Sequence, residues 1–241
     1  MNLLNPVLSF LFPVFCANCP RLVENISDGP ACRACWAETR LFNGTETTCH
    51  KCGAFHNWKE SDAVTYCRRC DDDYFDLARA CGPYEHALRT TVLELKNTPR
   101  LAKRPADLLF DCYAREPFRA IDLIVPVPLS KRRRLERGFN QSELLAHALS
   151  KRSGIPVDTA SLLRAKHTMT SRAAMDRKGR AITVKNAFAV RRQSLIHARS
   201  ILLIDDVFTS GATASMAAKA LKKNGAGRVD VLTLARAKSL N

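Results

Sequence analysis

The sequence lacks the long apolar run that a membrane-spanning helix requires. Such a helix needs about 20 consecutive apolar residues, and the apolar segment at the start of the chain, residues 1–15, is too short. This segment also lacks the basic residues that begin a secretory signal peptide, and a Cys-x2-Cys pair follows it directly. We therefore expect no transmembrane segment, and we expect residues 1–15 to pack on the body of the protein. Shallow attachment to a membrane surface is the alternative.

The sequence has no internal repeat beyond its cysteine pairs, and its composition is ordinary. Hydrophobic residues make up 46% of the chain and charged residues 25%, which excludes the disordered and fibrous classes. A length of 241 residues is enough for one large domain or for a medium domain with a small one.

Positive charge is concentrated in the larger, C-terminal part of the chain. The formal net charge is +15. Residues 1–70 hold seven Lys/Arg and six Asp/Glu, whereas residues 71–241 hold 31 and 17. This excess favours an anionic partner such as a phosphate compound, a nucleic acid or an acidic lipid. A solvated basic surface is the alternative.

Eight of the ten cysteines form four Cys-x2-Cys pairs. This spacing is typical of tetrahedral zinc sites and unlike a disulfide framework, which indicates a reducing compartment and hence the cytoplasm. Four thiolates leave no open position on the ion, so the two expected zinc ions are structural. The simplest assignment is sequential, although spacing alone leaves a crossed pairing open. The sequential sites are Cys16, Cys19, Cys32 and Cys35, then Cys49, Cys52, Cys67 and Cys70.

The remainder of the chain alternates between strand-like and helix-like segments. Strands are predicted at 121–128, 200–204 and 228–235, with helices at 140–151 and 213–224. Strands separated by helices predict an α/β domain with a parallel sheet. We divide the chain into an apolar segment (1–15), a double zinc ribbon (16–70), a connecting or hood region (71–120) and the α/β domain (121–241).

The most informative run is Ile204-Asp205-Asp206-Val207-Phe208-Thr209-Ser210-Gly211-Ala212-Thr213. An apolar strand precedes two carboxylates, then come a small hydroxyl-rich loop and a helix. Loops at the carboxyl ends of parallel strands are where α/β sheets bind ligands. Backbone amides, hydroxyl groups and the start of a helix together suit a phosphate. The two acids suit vicinal hydroxyls, directly or through a cation.

This run resembles the fingerprint of type I phosphoribosyltransferases. The resemblance implies the fold of that family and a site for 5-phosphoribosyl 1-pyrophosphate (PRPP) with Mg²⁺. Asp205 and Asp206 would be the catalytic acids that hold the ribose hydroxyls. The 5-phosphate would bind at Thr209, Ser210, Gly211, Ala212 and Thr213.

A strongly basic run follows the first predicted strand of the α/β domain. In type I phosphoribosyltransferases the loop after an early strand binds pyrophosphate, and arginine offers paired donors to such an anion. We therefore expect a basic loop that binds pyrophosphate or another anion, with a solvated charged face as the alternative. Its residues are Lys131, Arg132, Arg133, Arg134 and Arg137.

The string Val125-Pro126-Val127-Pro128-Leu129, the basic run and Arg137-Gly138-Phe139-Asn140-Gln141 together resemble the ComF family. That family joins a zinc ribbon to a phosphoribosyltransferase domain and is linked to natural competence, DNA uptake or DNA utilisation. The segment 164–188 corresponds to its flexible active-site loop. Here Arg180 is kept and Arg172 replaces a usual Gln, so the resemblance supports ligand binding more strongly than catalysis.

Three functions therefore remain open at this point. The first is a transferase that displaces pyrophosphate from PRPP, although no base for an incoming nucleophile is evident. The second is a module that handles single-stranded DNA beside a helicase or DNA-uptake proteins. Only Phe139 lies beside the basic run, which weakens base stacking. The third is a PRPP sensor. We expect a cytoplasmic protein, with peripheral attachment at the inner membrane as the alternative.

Overall fold

The computed structural model describes residues 13–46, 48–55, 66–164 and 187–237. Within these ranges every helix is too short or too polar to traverse a lipid bilayer. The strands are β1 (Leu77–Pro83), β2 (Leu123–Pro126), β3 (Leu162–Arg164), β4 (Phe188–Val190), β5 (Ser200–Phe208) and β6 (Arg228–Arg236). The helices are α1 (Arg33–Ala37), α2 (His86–Leu95), α3 (Lys103–Arg115), α4 (Lys131–Arg137), α5 (Gln141–Ser153), α6 (Gln193–Ile196) and α7 (Ala212–Lys223).

Four strands form a parallel sheet in the order β1-β6-β5-β2. β3 and β4 form a separate antiparallel pair. Every residue of Ile201–Ile204 in β5 is fully buried, as expected for a strand covered on both faces. The predicted α/β class with a parallel sheet is therefore confirmed.

The two faces of the sheet carry different layers. Val229, Val231 and Leu203 pack with α7 and with the second cysteine tetrad. Leu202, Leu232 and Leu234 pack on the opposite face with α2, α3, α5 and the first tetrad. The cysteine module therefore contributes to both layers.

β1 was not predicted from the sequence, where residues 71–120 were assigned to a connecting or hood region. Its run Leu77–Pro83 pairs with β6 at one edge of the sheet. Two segments of the cysteine module cover its other edge, since the amide of Phe42 donates to the carbonyl of Cys81 (2.8 Å) and the amide of Ala78 donates to the carbonyl of Lys51 (2.7 Å). This cover removes an open strand edge that would otherwise invite association.

Two local expectations were wrong. The strand before the acids was expected to end at residue 204, but β5 continues through Asp205 and Asp206 to Phe208 because it stays paired with β6 there. The basic run was expected to be a loop, but it forms α4. Ser130 caps this helix by accepting a hydrogen bond from the amide of Arg133, and Gly138 ends it in the left-handed conformation (φ 76°).

Candidate functional site

The structure assembles the eight paired cysteines into two tetrads. Within each tetrad the sulfur atoms all lie within 4.8 Å of one another. The pairing is sequential, so the crossed alternative is not the one adopted. The tetrads are Cys16, Cys19, Cys32 and Cys35, then Cys49, Cys52, Cys67 and Cys70.

The sulfur separations match a tetrahedral thiolate site. Four sulfurs at about 2.3 Å from a zinc ion would lie about 3.8 Å apart. The Cys16–Cys35 and Cys19–Cys32 separations are 3.7 and 3.6 Å. In the second tetrad, Cys49–Cys70 and Cys52–Cys67 are each 3.5 Å apart. The residues present therefore fit a tetrahedral metal ion.

Backbone amides support the sulfurs. The amide of Cys32 donates to the Cys16 sulfur, and the amide of Cys67 donates to the Cys49 sulfur, each at 3.3 Å. Such donors stabilise the negative charge of a thiolate. In both tetrads, therefore, the amide of the third cysteine donates to the sulfur of the first.

The predicted ribose acids lie where β5 loses one of its two neighbours. β2 ends at Pro126, which pairs with Ile204, so β5 has no β2 partner from Asp205 onward. The start of α5 fills this place. Asn140 accepts from the amide of Ser142 (3.2 Å) and donates to the carbonyl of Val127 (3.1 Å). The Ser142 hydroxyl then donates to the Asp205 carboxylate at 3.0 Å.

Ionising Asp205 is electrostatically unfavourable in the folded chain. Burial, and next the negative charge of Asp206, raise the pKa of Asp205 to about 7. One carboxylate oxygen of Asp206 is buried without a hydrogen-bond partner, and the Lys96 ammonium lies 3.5 Å from it. Asp205 therefore titrates near neutral pH, beside a buried carboxylate oxygen of Asp206 that has no hydrogen-bond partner among the described residues.

The predicted phosphate loop follows directly. Gly211 adopts a left-handed conformation (φ 81°), and a Cβ atom there would lie 2.8 Å from the Phe208 ring. Only glycine therefore fits this position without strain. α7 begins at the next residue, so the positive end of its dipole faces the loop. The exposed residues are Thr209, Ser210, Ala212 and Thr213.

Several amides of this loop are available to an anion. The Ser215 amide donates to the Gly211 carbonyl at 2.8 Å, and the Ala212 amide makes a long contact of 3.4 Å to the Ser210 hydroxyl. Within the described residues, the amides of Thr209, Ser210 and Gly211 donate to no protein acceptor. Such a loop before a helix start is a phosphate-binding arrangement.

The predicted pyrophosphate residues lie on α4, where all but the half-buried Arg137 are exposed, and acidic neighbours pair with some of them. Arg132 pairs with Glu136 (2.7 Å), and Arg134 pairs with Glu143 (2.6 Å). Arg137 donates to Gln141 at 2.9 Å. In the part of the chain that the structure describes, Lys131 and Arg133 form no ion pair.

Sequence reasoning missed three side chains beside the acids. Ser142 lies on the first turn of α5 and Lys96 caps the end of α2, where nothing in the local pattern marks them. Arg164 ends β3, close enough to Asp205 and to Arg133 of α4 for their charges to act on it. Burial, and next the positive charge of Arg133, lower the pKa of Arg164, whereas Asp205 opposes this shift. The predicted loop residues Arg172 and Arg180 lie outside the described residues.

The fold and the sites define the class as a parallel-sheet α/β protein with a double cysteine-tetrad module. The family model described as a double zinc ribbon domain matches residues 7–71. The chain is 40% identical over 118 residues to Competence protein F of Haemophilus influenzae, covering 48% of this chain and 51% of that protein. It is 39% identical over 115 residues to DNA utilization protein YhgH of Escherichia coli strain K12, covering 48% and 49%.

A third relative is Competence protein ComFC of Bacillus subtilis, 37% identical over 115 residues, covering 47% of this chain and 44% of the relative. The chain thus matches about half the length of these curated relatives. The resemblance to proteins of the ComF type is confirmed, and so is the zinc-ribbon character of the cysteine module.

Solved structures show only a distant likeness. Glutamine PRPP amidotransferase from B. subtilis has a TM-score of 0.40 and 17% identity, covering 58% of this chain and 30% of that chain. Adenine phosphoribosyltransferase from Leishmania tarentolae has a TM-score of 0.34 and 16% identity, covering 60% and 57%. A likeness this weak carries no inference about a ligand.

The raised pKa of Asp205 predicts a pH-dependent stability. Ionising this carboxyl costs more in the folded chain than in the unfolded chain. The contribution of Asp205 to the free energy of unfolding is therefore fully present below about pH 4 and is lost as pH rises through about 7. Asp205→Asn should remove this loss of stability, because asparagine does not ionise. Relative to wild type, the variant should gain about 1–3 kcal/mol between pH 5 and pH 8. Urea unfolding at several pH values measures the difference, and parallel pH curves would contradict the shift.

Proposed function

We propose that this chain binds PRPP with Mg²⁺ in the site formed by Asp205, Asp206 and the loop 209–213. One observation carries the proposal. Two clustered carboxylates lie directly beside a loop that offers free amides at the start of α7. A ribose 5-phosphate presents vicinal hydroxyls and a phosphate on one rigid ring, which suits this pairing of acidic and amide-rich surfaces. The carboxylates also suit Mg²⁺, which prefers oxygen ligands.

The chemistry that this site supports is displacement of pyrophosphate from PRPP. In that reaction positive charge develops at the anomeric carbon, where Asp205 and Asp206 offer compensating charge. Mg²⁺, when bound, neutralises phosphate oxygens. Lys96 beside Asp206 and Arg164, which feels the charges of Asp205 and Arg133, supply positive charge for the leaving pyrophosphate. No residue is assigned as a base for an incoming nucleophile, and a PRPP sensor without turnover uses the same contacts.

A role in competence or DNA utilisation is part of the proposal, since the relatives carry those names. The second candidate function is handling of single-stranded DNA, together with a helicase or DNA-uptake proteins. The exposure of all basic residues on α4 except the half-buried Arg137 favours it. The partly buried Phe139 weakens it, because base stacking needs an open ring. We propose a cytoplasmic location, with peripheral contact at the inner membrane as an alternative.

We further propose that each tetrad holds one structural zinc ion. All-thiolate sites bind zinc without leaving a position for water. A module of this length cannot bury enough apolar surface to fold by itself, so metal binding would supply folding free energy of about 10–16 kcal/mol per site.

Elemental analysis of the purified protein should find two zinc ions per chain. Cys32→Ser should lower the content to about one, because three thiolates bind zinc more weakly than four. Cys81→Ala is the matched control, since Cys81 is a buried cysteine outside both tetrads and its loss should leave both ions bound. A wild-type protein with less than one zinc ion would refute the assignment.

Replacing both acids should remove PRPP binding. The double variant Asp205→Asn/Asp206→Asn should bind Mg·PRPP at least about 100-fold more weakly, as expected for the loss of two charge-assisted contacts. Asparagine keeps the side-chain size, and circular dichroism checks that the fold survives. Asp111→Asn, an exposed carboxylate on α3, is the control. Calorimetry that gives equal affinities for wild type and double variant would refute the site.

Salt dependence separates the two candidate functions. Five basic residues exceed what one pyrophosphate can contact, so a longer anion would use the rest. If α4 binds single-stranded DNA, Arg132→Ala/Arg133→Ala/Arg134→Ala should flatten the log–log salt slope by up to about two units, and PRPP binding should fall less. The charge-matched control is the exposed set Arg191, Arg192 and Arg199 near the start of β5. An unchanged slope with PRPP binding lost would favour the plain transferase.

A further inference from the structure

The second cysteine tetrad touches the element that carries the candidate phosphate loop. Its four cysteines lie in the same buried cluster as Phe75, Phe208 and Ala214. Phe208 is the residue whose ring supports Gly211, and Ala214 lies in the first turn of α7. The loop therefore rests on a surface that includes the metal-binding knuckles.

Arg236 makes the most direct connection. At the end of β6, its guanidinium donates to the carbonyl of Cys52 and lies 3.9 Å from the Cys52 sulfur. The same guanidinium stacks on the Phe208 ring, 4.6 Å from its centroid. A single half-buried side chain thus joins a metal ligand to the floor of the loop.

The chain that leaves the second tetrad makes a further connection. The Tyr74 amide donates to the Ser215 hydroxyl on α7 (3.1 Å). Lys51, between two ligands of the tetrad, donates to the carbonyl of Asp73 (2.8 Å). The Asp73 carboxylate lies 3.5 Å from the position that a Cβ of Gly211 would occupy. Gly211 within the loop and Ser215 just after it therefore contact the segment that follows the second tetrad.

The first tetrad provides a natural comparison, because it packs on the opposite face of the sheet. There Arg104 stacks on Trp36, also at 4.6 Å from the ring centroid, and pairs with Asp28 at 3.4 Å. These contacts hold the first tetrad to α3 and do not involve residues 208–215.

We propose that metal binding by the second tetrad, and not by the first, holds residues 209–213 in their anion-binding conformation, with Arg236 as the positioning residue between Cys52 and Phe208. This inference rests on the proposed function in so far as the loop binds an anion. By thermodynamic reciprocity, anion binding should equally strengthen metal retention at the second tetrad.

The first test compares equivalent ligands of the two tetrads in the full chain. Cys67→Ser and Cys32→Ser remove residues at the same position of each motif, since each amide donates to its partner sulfur at 3.3 Å. Cys67→Ser should weaken binding of inorganic phosphate and of Mg·PRPP about tenfold, within the usual range of coupling between sites. Cys32→Ser should stay within about twofold of wild type. Equal losses in both variants would overturn the proposal.

The second test leaves all cysteines in place. Arg236→Met should keep two metal ions per chain but weaken phosphate binding about fivefold or more, and Arg236→Lys should recover only part of it, because lysine lacks the planar fork. Arg104→Met is the matched control and should bind phosphate like wild type. Phosphate affinity unchanged by Arg236→Met would overturn the role of Arg236.

Hydrogen exchange provides a readout without any ligand. The Ser215 amide, bonded to the Gly211 carbonyl, and the Tyr74 amide, bonded to the Ser215 hydroxyl, should exchange faster in Cys67→Ser and Arg236→Met than in Cys32→Ser and Arg104→Met. If wild type bound neither phosphate nor PRPP, the proposed function would fail. The coupling between the second tetrad and the loop 209–213 would then be tested by hydrogen exchange alone. Equal exchange rates of the Tyr74 and Ser215 amides in all four variants would overturn it.

Discussion

The pairing of β5 with β6 beyond the end of β2 is the constraint on which the rest of the site depends. β2 stops at Pro126, whereas the β5–β6 ladder continues to Phe208 and Arg236. On the edge of β5 that β2 no longer covers, the start of α5 lies against the strand, so the Ser142 hydroxyl reaches Asp205. On the other edge, continued pairing with β6 brings Arg236 beside Phe208, and the Phe208 ring packs against Gly211 of the loop. One difference in strand length therefore positions both the two acids and the loop that follows them.

The charges of the site follow from this geometry. Two adjacent carboxylates beside a buried strand end repel each other and are poorly hydrated, so Asp205 holds its proton up to about pH 7. Positive charge lies near the acids on separate elements, since the Lys96 ammonium is 3.5 Å from Asp206 and the charge of Asp205 acts on Arg164. Ligand affinity that requires ionised acids should accordingly grow as pH rises through neutrality. The cysteine module contributes to the same surface, since its second tetrad packs beneath the loop.

Much of this protein was readable from local patterns in the sequence. The Cys-x2-Cys spacing predicts tetrahedral metal sites because two thiolates three residues apart reach one ion. The apolar run Ile201–Ile204 predicts a central parallel strand, and Gly211 before a small-residue helix predicts a turn open to anions. The helix predicted at 140–151 is also marked locally, since Asn140 at its start caps it by accepting from a nearby amide. Each of these signals acts over a few residues.

What the sequence alone determined is therefore the local chemistry: metal-type knuckles, a parallel α/β pattern, two acids before a glycine loop, and a basic run. Only the tertiary structure decided which groups meet. The addition of β1 to the sheet, the contact of Lys96 with Asp206 and the bridge from Cys52 through Arg236 to Phe208 join residues far apart in the chain. The helical state of the basic run and the strand position of the acids depended on capping by Ser130 and on the length of β6. Such outcomes depend on pairing and packing over long sequence distances, which no local periodicity encodes.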